Sequence, residues 1–166
     1  MRYRVATGTL TVQARSRVHN TTTVWNQLTG EVTADPDTLA TAGATAQFEV
    51  DMTAFDAGDF LKNRKLRNDF DLARHPTARF ELARVRNVVR TGPTFTATAD
   101  GVLVWRGRKV ELVLEGRGTL DNMTVSASAT FELDIRALGL SAPRFLMFKV
   151  EDEVTVAVEL RGAVVP

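Results

Sequence analysis

An apolar/polar alternation of period two runs through most of this 166-residue chain and constrains its fold more than any other feature. Residues 44–51 (Ala-Thr-Ala-Gln-Phe-Glu-Val-Asp) alternate strictly. Residues 123–134 put Met123, Val125, Ala127, Ala129, Phe131 and Leu133 on one side, with Thr124, Ser126, Ser128, Thr130, Glu132 and Asp134 on the other. Residues 95–100, 110–115 and 153–160 repeat the pattern. Successive strand side chains point to opposite faces, so each segment has one buried face and one wet face. Parallel strands are covered on both sides and would be apolar on both, so the alternation predicts an antiparallel sheet.

Eight strands follow, at about 3–17, 21–34, 43–52, 77–89, 94–106, 109–120, 123–135 and 150–162. Asp35-Pro36-Asp37, Thr91-Gly92-Pro93, Arg106-Gly107-Arg108 and Asp121-Asn122 supply turn chemistry between them. The short links from the fifth strand to the seventh make those strands hairpin neighbours. Residues 53–72 break the rhythm with helix formers and apolar Phe55, Phe60, Leu66 and Phe70, which predicts a short helical insert capped by Asp56 or Asp59. Residues 138–149 form an apolar connection in which Pro143 argues against a continuous strand.

Eight amphipathic strands hide one face in either a sandwich or a closed barrel. Ala46, Ala97, Ala99, Ala127 and Ala129 all fall on the apolar faces. An eight-stranded barrel is at the size where the interior is either just filled or holds one ligand. Repeated alanine leaves volume unclaimed, unless the alanines pack small against large on Phe48, Phe80, Phe95 or Phe131. Both readings stay open at this stage. The length fits one domain spanning residues 1–166.

Composition removes several chemistries. The chain has no cysteine, which excludes a disulfide framework and Cys-ligated metal centres. Its 21 Lys and Arg against 20 Asp and Glu give a net charge of +1, so no nucleic-acid partner is expected. The two histidines, His19 and His75, lie far apart, with no HExxH pattern and no metal-ligand spacing. No GxSxG, P-loop or GxGxxG occurs, and Leu39 spoils an EF-hand-like start at Asp35 and Asp37. The carboxylate clusters Asp69/Asp71 and Glu151-Asp152-Glu153 read as solvated rims, and the sequons at Asn20 and Asn122 carry no argument alone. The chain is therefore expected to be no enzyme, with no metal site. Met1-Arg2-Tyr3-Arg4 has a basic start, but Thr7, Thr9, Thr11 and Gln13 interrupt an apolar leader. A cytoplasmic location is the expectation, or a periplasmic or secreted one where a leader has been removed.

Charge is unevenly placed. Residues 62–90 hold nine Lys and Arg against three acids, a net +6. Two readings follow: contact with an anionic partner such as a phospholipid surface, or a solvated outer face whose long stems cover apolar surface. Arg79, Arg84 and Arg86 do not share one strand face, which favours the second.

Three stretches in order resemble the YceI-like, polyisoprenoid-binding family. They are Lys65-Leu66-Arg67-Asn68-Asp69-Phe70-Asp71 with His75-Pro76-Thr77-Ala78-Arg79-Phe80, then residues 101–112 around Trp105-Arg106-Gly107, and last Phe131-Glu132-Leu133 through Leu138-Gly139-Leu140 to residues 150–156. The resemblance implies a lipocalin-like, eight-stranded antiparallel barrel that holds a long isoprenoid, an isoprenoid quinone or another amphipathic lipid in its lumen for storage, transport or sequestration. Ligand contact is then expected from Phe48, Val50, Phe80, Leu82, Phe95, Ala97, Leu112 and Leu114. Val125, Ala127, Ala129, Phe131, Val154 and Val156 complete the wall, and Phe60, Leu66, Phe70 and Phe145 line the mouth. Segments 53–72 and 138–149 become covers at that mouth, and the basic segment 62–90 becomes a peripheral membrane contact. The competing reading is a packed barrel acting as a structural or interaction module, for instance a homodimer through an edge strand.

Overall fold

The computed structural model describes residues 1–16, 20–140, 144, 145 and 148–166. His19 and the middle of the 138–149 connection lie outside the described residues. The side chain of Phe145 lies outside them too. In chain order the strands are β1 (Arg2–Ser16), β2 (Asn20–Trp25), β3 (Leu28–Ala34), β4 (Ala44–Asp51), β5 (Phe55–Asp56), β6 (Thr77–Thr91), β7 (Thr94–Trp105), β8 (Arg108–Leu120), β9 (Thr124–Asp134), β10 (Arg144–Phe145) and β11 (Phe148–Val164). Helix α1 (Leu39–Ala42) lies between β3 and β4, α2 (Phe60–Asp69) between β5 and β6, and a 3-10 turn covers Ile135–Leu138.

Among the described residues, eight strands pair antiparallel in the circular order β1-β11-β9-β8-β7-β6-β4-β3 and back to β1. Closure rests on the pairing of β1 with β11, which runs from Tyr3↔Val164 to Ser16↔Val150. A closed ring has no open edge, which answers the sandwich-or-barrel question. The β7–β8 hairpin turns on Arg106 (φ 55°) and Gly107 (φ 70°), the paired left-handed residues of a type I′ turn. No helix is long and apolar enough to cross a membrane.

Two expectations need correction. The strand expected over 21–34 is broken at Asn26 and Gln27. Its first half, β2, follows Leu10–Arg15 of β1, whereas β3 follows Arg2–Val5 and enters the barrel. Both halves keep one register along β1; the extra residue of β1 between Val5 and Thr7 lies in its pairing with β11, opposite consecutive Gly162 and Arg161. The second omission is α1, a single turn too short to carry a period, which buries Leu39 against the barrel end.

The two ends of the barrel differ. One carries the β6–β7 and β8–β9 turns, α1 and both termini; we refer to it as the turn end. There Tyr3 is fully buried and its hydroxyl donates to the Asp121 carbonyl at 2.6 Å. Arg90 donates to the carbonyls of Pro36, Pro93 and Leu120, tying three loops across that end. The other end carries α2, the 3-10 turn and the β10–β11 hairpin, so the expected covers, 53–72 and 138–149, come together at one end.

Candidate functional site

Strand alternation turns one side chain in two toward the barrel axis, and the sequence fills those positions with apolar residues. Between them lies a cavity of about 300 Å³, reaching from Leu39, Leu120 and Val125 at the turn end to Phe70, Trp105 and Leu140 at the α2 end. Its wall is almost wholly apolar. Arg79, Arg117 and Ser128 border it, but both arginines are exposed and on the outer face by alternation.

The width of the cavity comes from small residues placed in register. Ala97 of β7 pairs with Gly116 of β8, and Gly116 pairs with Ala129 of β9. A Cβ built on Gly116 would meet nothing nearer than 3.7 Å, so this row is a shallow groove in the wall. The large rings lie flat elsewhere. A Cβ on Gly101 would stand 2.2 Å from the Phe80 ring, so that ring occupies the space left by the missing side chain on the next strand. Phe48 lies in the same way over Gly30, so these two rings take space that glycines leave on the neighbouring strands.

Leaving this volume unfilled is costly. At about 24 cal/mol per Å³ of cavity, some 300 Å³ corresponds to about 7 kcal/mol. A domain's whole stability is on the order of 5–15 kcal/mol. An apolar cavity of about 150 Å³ is already enough to stay dry and take up benzene.

Most of the expected wall is brought together. Phe48, Val50, Phe80, Leu82, Phe95, Ala97, Leu112, Leu114, Val125, Ala127, Ala129, Phe131, Val154 and Val156 all line the cavity, and Phe70 lines its α2 end. Two mouth residues are placed elsewhere. Phe60 is 75% exposed at the first turn of α2. Leu66 is buried beneath α2 in the core and does not reach the cavity. Asp59 starts the helix at Phe60, its carboxylate accepting from the Lys62 amide, and α2 packs on the barrel with Leu66 inward and Phe60 outward. The Phe145 side chain lies outside the described residues.

Sequence reasoning missed Leu10, Val12, Leu28, Val85, Leu103 and Trp105, which also line the cavity. In β1 the inward set changes from odd (Tyr3, Val5) to even (Leu10, Val12) across the bulge. In β6 an extra residue between Leu82 and Arg84 moves the inward set from Leu82 to Val85. At the α2 end Trp105 packs edge-on against Phe70 at 6.4 Å, and its indole N–H donates to the His75 carbonyl at 2.9 Å. Arg106 lies over the Trp105 ring and donates to the Phe70 carbonyl, clasping two wall residues.

The basic segment 62–90 is not one surface. Lys62 to Arg74 lie on and just after α2. Arg79 pairs with Glu81 on the outer wall, Arg84 and Arg86 share Asp100 there, and Arg90 sits at the turn end.

A closed eight-stranded antiparallel barrel around a long apolar cavity defines a class, the barrels that hold a guest in the lumen. Within it, the chain belongs to the family of the YceI-like domain, which it matches over residues 3–161. The fold is similar to that of BcnA from Burkholderia cenocepacia (19% identity, 93% of this chain and 95% of that one, TM-score 0.75). It is also similar to a polyisoprenoid binding domain from Saccharophagus degradans implicated in plant cell wall breakdown (13% identity, 98% of each chain, TM-score 0.77). A YCEI protein of Campylobacter jejuni aligns at 10% identity over 90% of this chain and 88% of that one, with a TM-score of 0.69. No curated protein sequence matches the chain.

Proposed function

We propose that the protein binds an apolar chain lipid of isoprenoid type, such as an isoprenoid quinone, in its lumen and holds it for storage or transport. The observation that carries this reading is the cavity of about 300 Å³ walled by apolar side chains along the barrel. That volume is at the lower end of ligand pockets, about 300–1,000 Å³, which suits a few isoprene units. Each unit has five carbons, so its burial gains about 4 kcal/mol at about 0.8 per methylene-sized group. Ordering the chain offsets part of this. A wall without a polar partner favours the tail inside and the polar head outside. The turn end is tied shut by Arg90, so the head belongs at the α2 end. The Saccharophagus protein is described as polyisoprenoid binding, which agrees with this ligand class.

The test is extraction of lipid from the purified protein with mass spectrometry, followed by titration of stripped protein with a short isoprenoid quinone. Saturable quenching of tryptophan emission at micromolar quinone or below is expected, carried by Trp105 on the cavity wall and retained in a Trp25→Phe variant. Protein that carries no lipid and shows no saturable quenching would leave this reading without support.

A further inference from the structure

We infer that the outward face of α2 docks on an anionic lipid bilayer, with Phe60 and Leu61 inserted among the acyl chains. Phe60 and Leu61 are each 75% exposed and adjacent, although the barrel has an apolar interior to place such residues in. At 100° per residue the outward face of α2 centres on Phe60, Leu61, Arg64 and Asn68, opposite buried Leu66. Lys65 and Arg67 flank it. The acids nearby are engaged: Asp59 caps the helix and pairs with Lys62, and Asp69 pairs with Lys65 at 3.0 Å. Among the described residues, Arg64 and Arg67 have no carboxylate partner, and Arg67 rests on the Phe55 ring at 5.5 Å. A pair of large apolar side chains beside two cations without a carboxylate partner, Arg64 and Arg67, complements one surface in particular, acyl chains beneath anionic head groups. A protein partner would meet those cations with acids and is the less economical match.

Docking does not depend on what the lumen holds. Its use, bringing the α2 end of the lumen to the bilayer, rests on the proposed lipid reading. The two are therefore measured separately on the full chain. Stripped protein is centrifuged with phosphatidylcholine vesicles made with and without phosphatidylserine, at low and high salt. Binding is expected only with phosphatidylserine, and to weaken as salt rises. Phe60→Ser with Leu61→Ser should lower vesicle affinity about tenfold or more, and Arg64→Glu about fivefold or more. Both variants should keep the wild-type melting temperature and quinone uptake. Unchanged vesicle affinity in the two variants would overturn the inference, as would no binding to either vesicle. A concentration-dependent dimer abolished by the serine pair would overturn it too, by assigning the face to a second copy.

Discussion

Asp100 shows how single side chains stiffen a wall that has no filled core behind it. It accepts from Arg86 at 2.9 and 3.2 Å and from Arg84 at 3.1 and 3.0 Å, across the place where β6 carries its extra residue. On the same outer face Thr98 donates to Glu115 at 2.9 Å, linking β7 to β8. The hydrogen bond from Arg86 holds the Asp100 carboxyl below the usual carboxylate range, with Arg84 adding to it and partial burial opposing. A depressed pKa means the contribution to stability is complete above the unfolded value of about 3.9. It disappears as pH falls through the lower folded value. Asp100→Asn should therefore melt below the wild type near neutral pH, and the gap should narrow progressively in melting curves taken as pH falls below about 4. At this scale the sequence was informative wherever a strand runs without a bulge. In β4, β8 and β9 parity alone assigns Phe48, Leu112 and Ala127 to the wall. In β1 and β6 one extra residue exchanges inside for outside, and nothing in the side-chain pattern marks the bulge in advance.

Helix α2 is legible for a different reason. Asp59 is a strong N-cap, and Lys62 stands where its amide meets that carboxylate. Which way the helix faces was not legible, because segment 53–72 has apolar residues on more than one side and a ten-residue helix takes its orientation from what it packs on. Leu66 is the buried residue of α2, and a helix this short does not stand alone in water. The element is therefore a cover held by one anchor and one cap. Asp59→Ala should weaken it by about 1 kcal/mol. Hydrogen exchange at the Lys62 and Asn63 amides should then speed up about fivefold while the strands of the barrel keep their protection. Protection lost equally in the strands would mean that α2 and the barrel unfold as one unit. The 3-10 turn at Ile135–Leu138 is the counterpart on the other cover, with Asp134 accepting from the Arg136 amide and Gly139 (φ 75°) ending it.

At the scale of the molecule, alternation specified amphipathic antiparallel strands but left their closure open. Closure depends on β1 meeting β11, a pairing between chain ends that no local pattern encodes. The state of the lumen was undecided for a similar reason. Alanines at inward positions look the same whether they face phenylalanine across a packed core or face one another. The structure aligns Ala97, Gly116 and Ala129 across three neighbouring strands, and small beside small is what leaves the groove. Ala129→Trp tests the consequence. The indole would lie over Gly116, where a Cβ has no neighbour nearer than 3.7 Å, so it enters existing space. Overpacking a filled core costs about 1–3 kcal/mol. Here the added ring recovers contacts that the cavity had forgone, and the variant should melt at or above the wild-type temperature. The same ring stands in the path of a lipid tail, so quinone uptake should fall by more than tenfold, on the order of the burial energy of half an isoprene unit or more. A variant that unfolds would show that the lumen closes in solution. One that folds and still binds would move the ligand out of the barrel altogether.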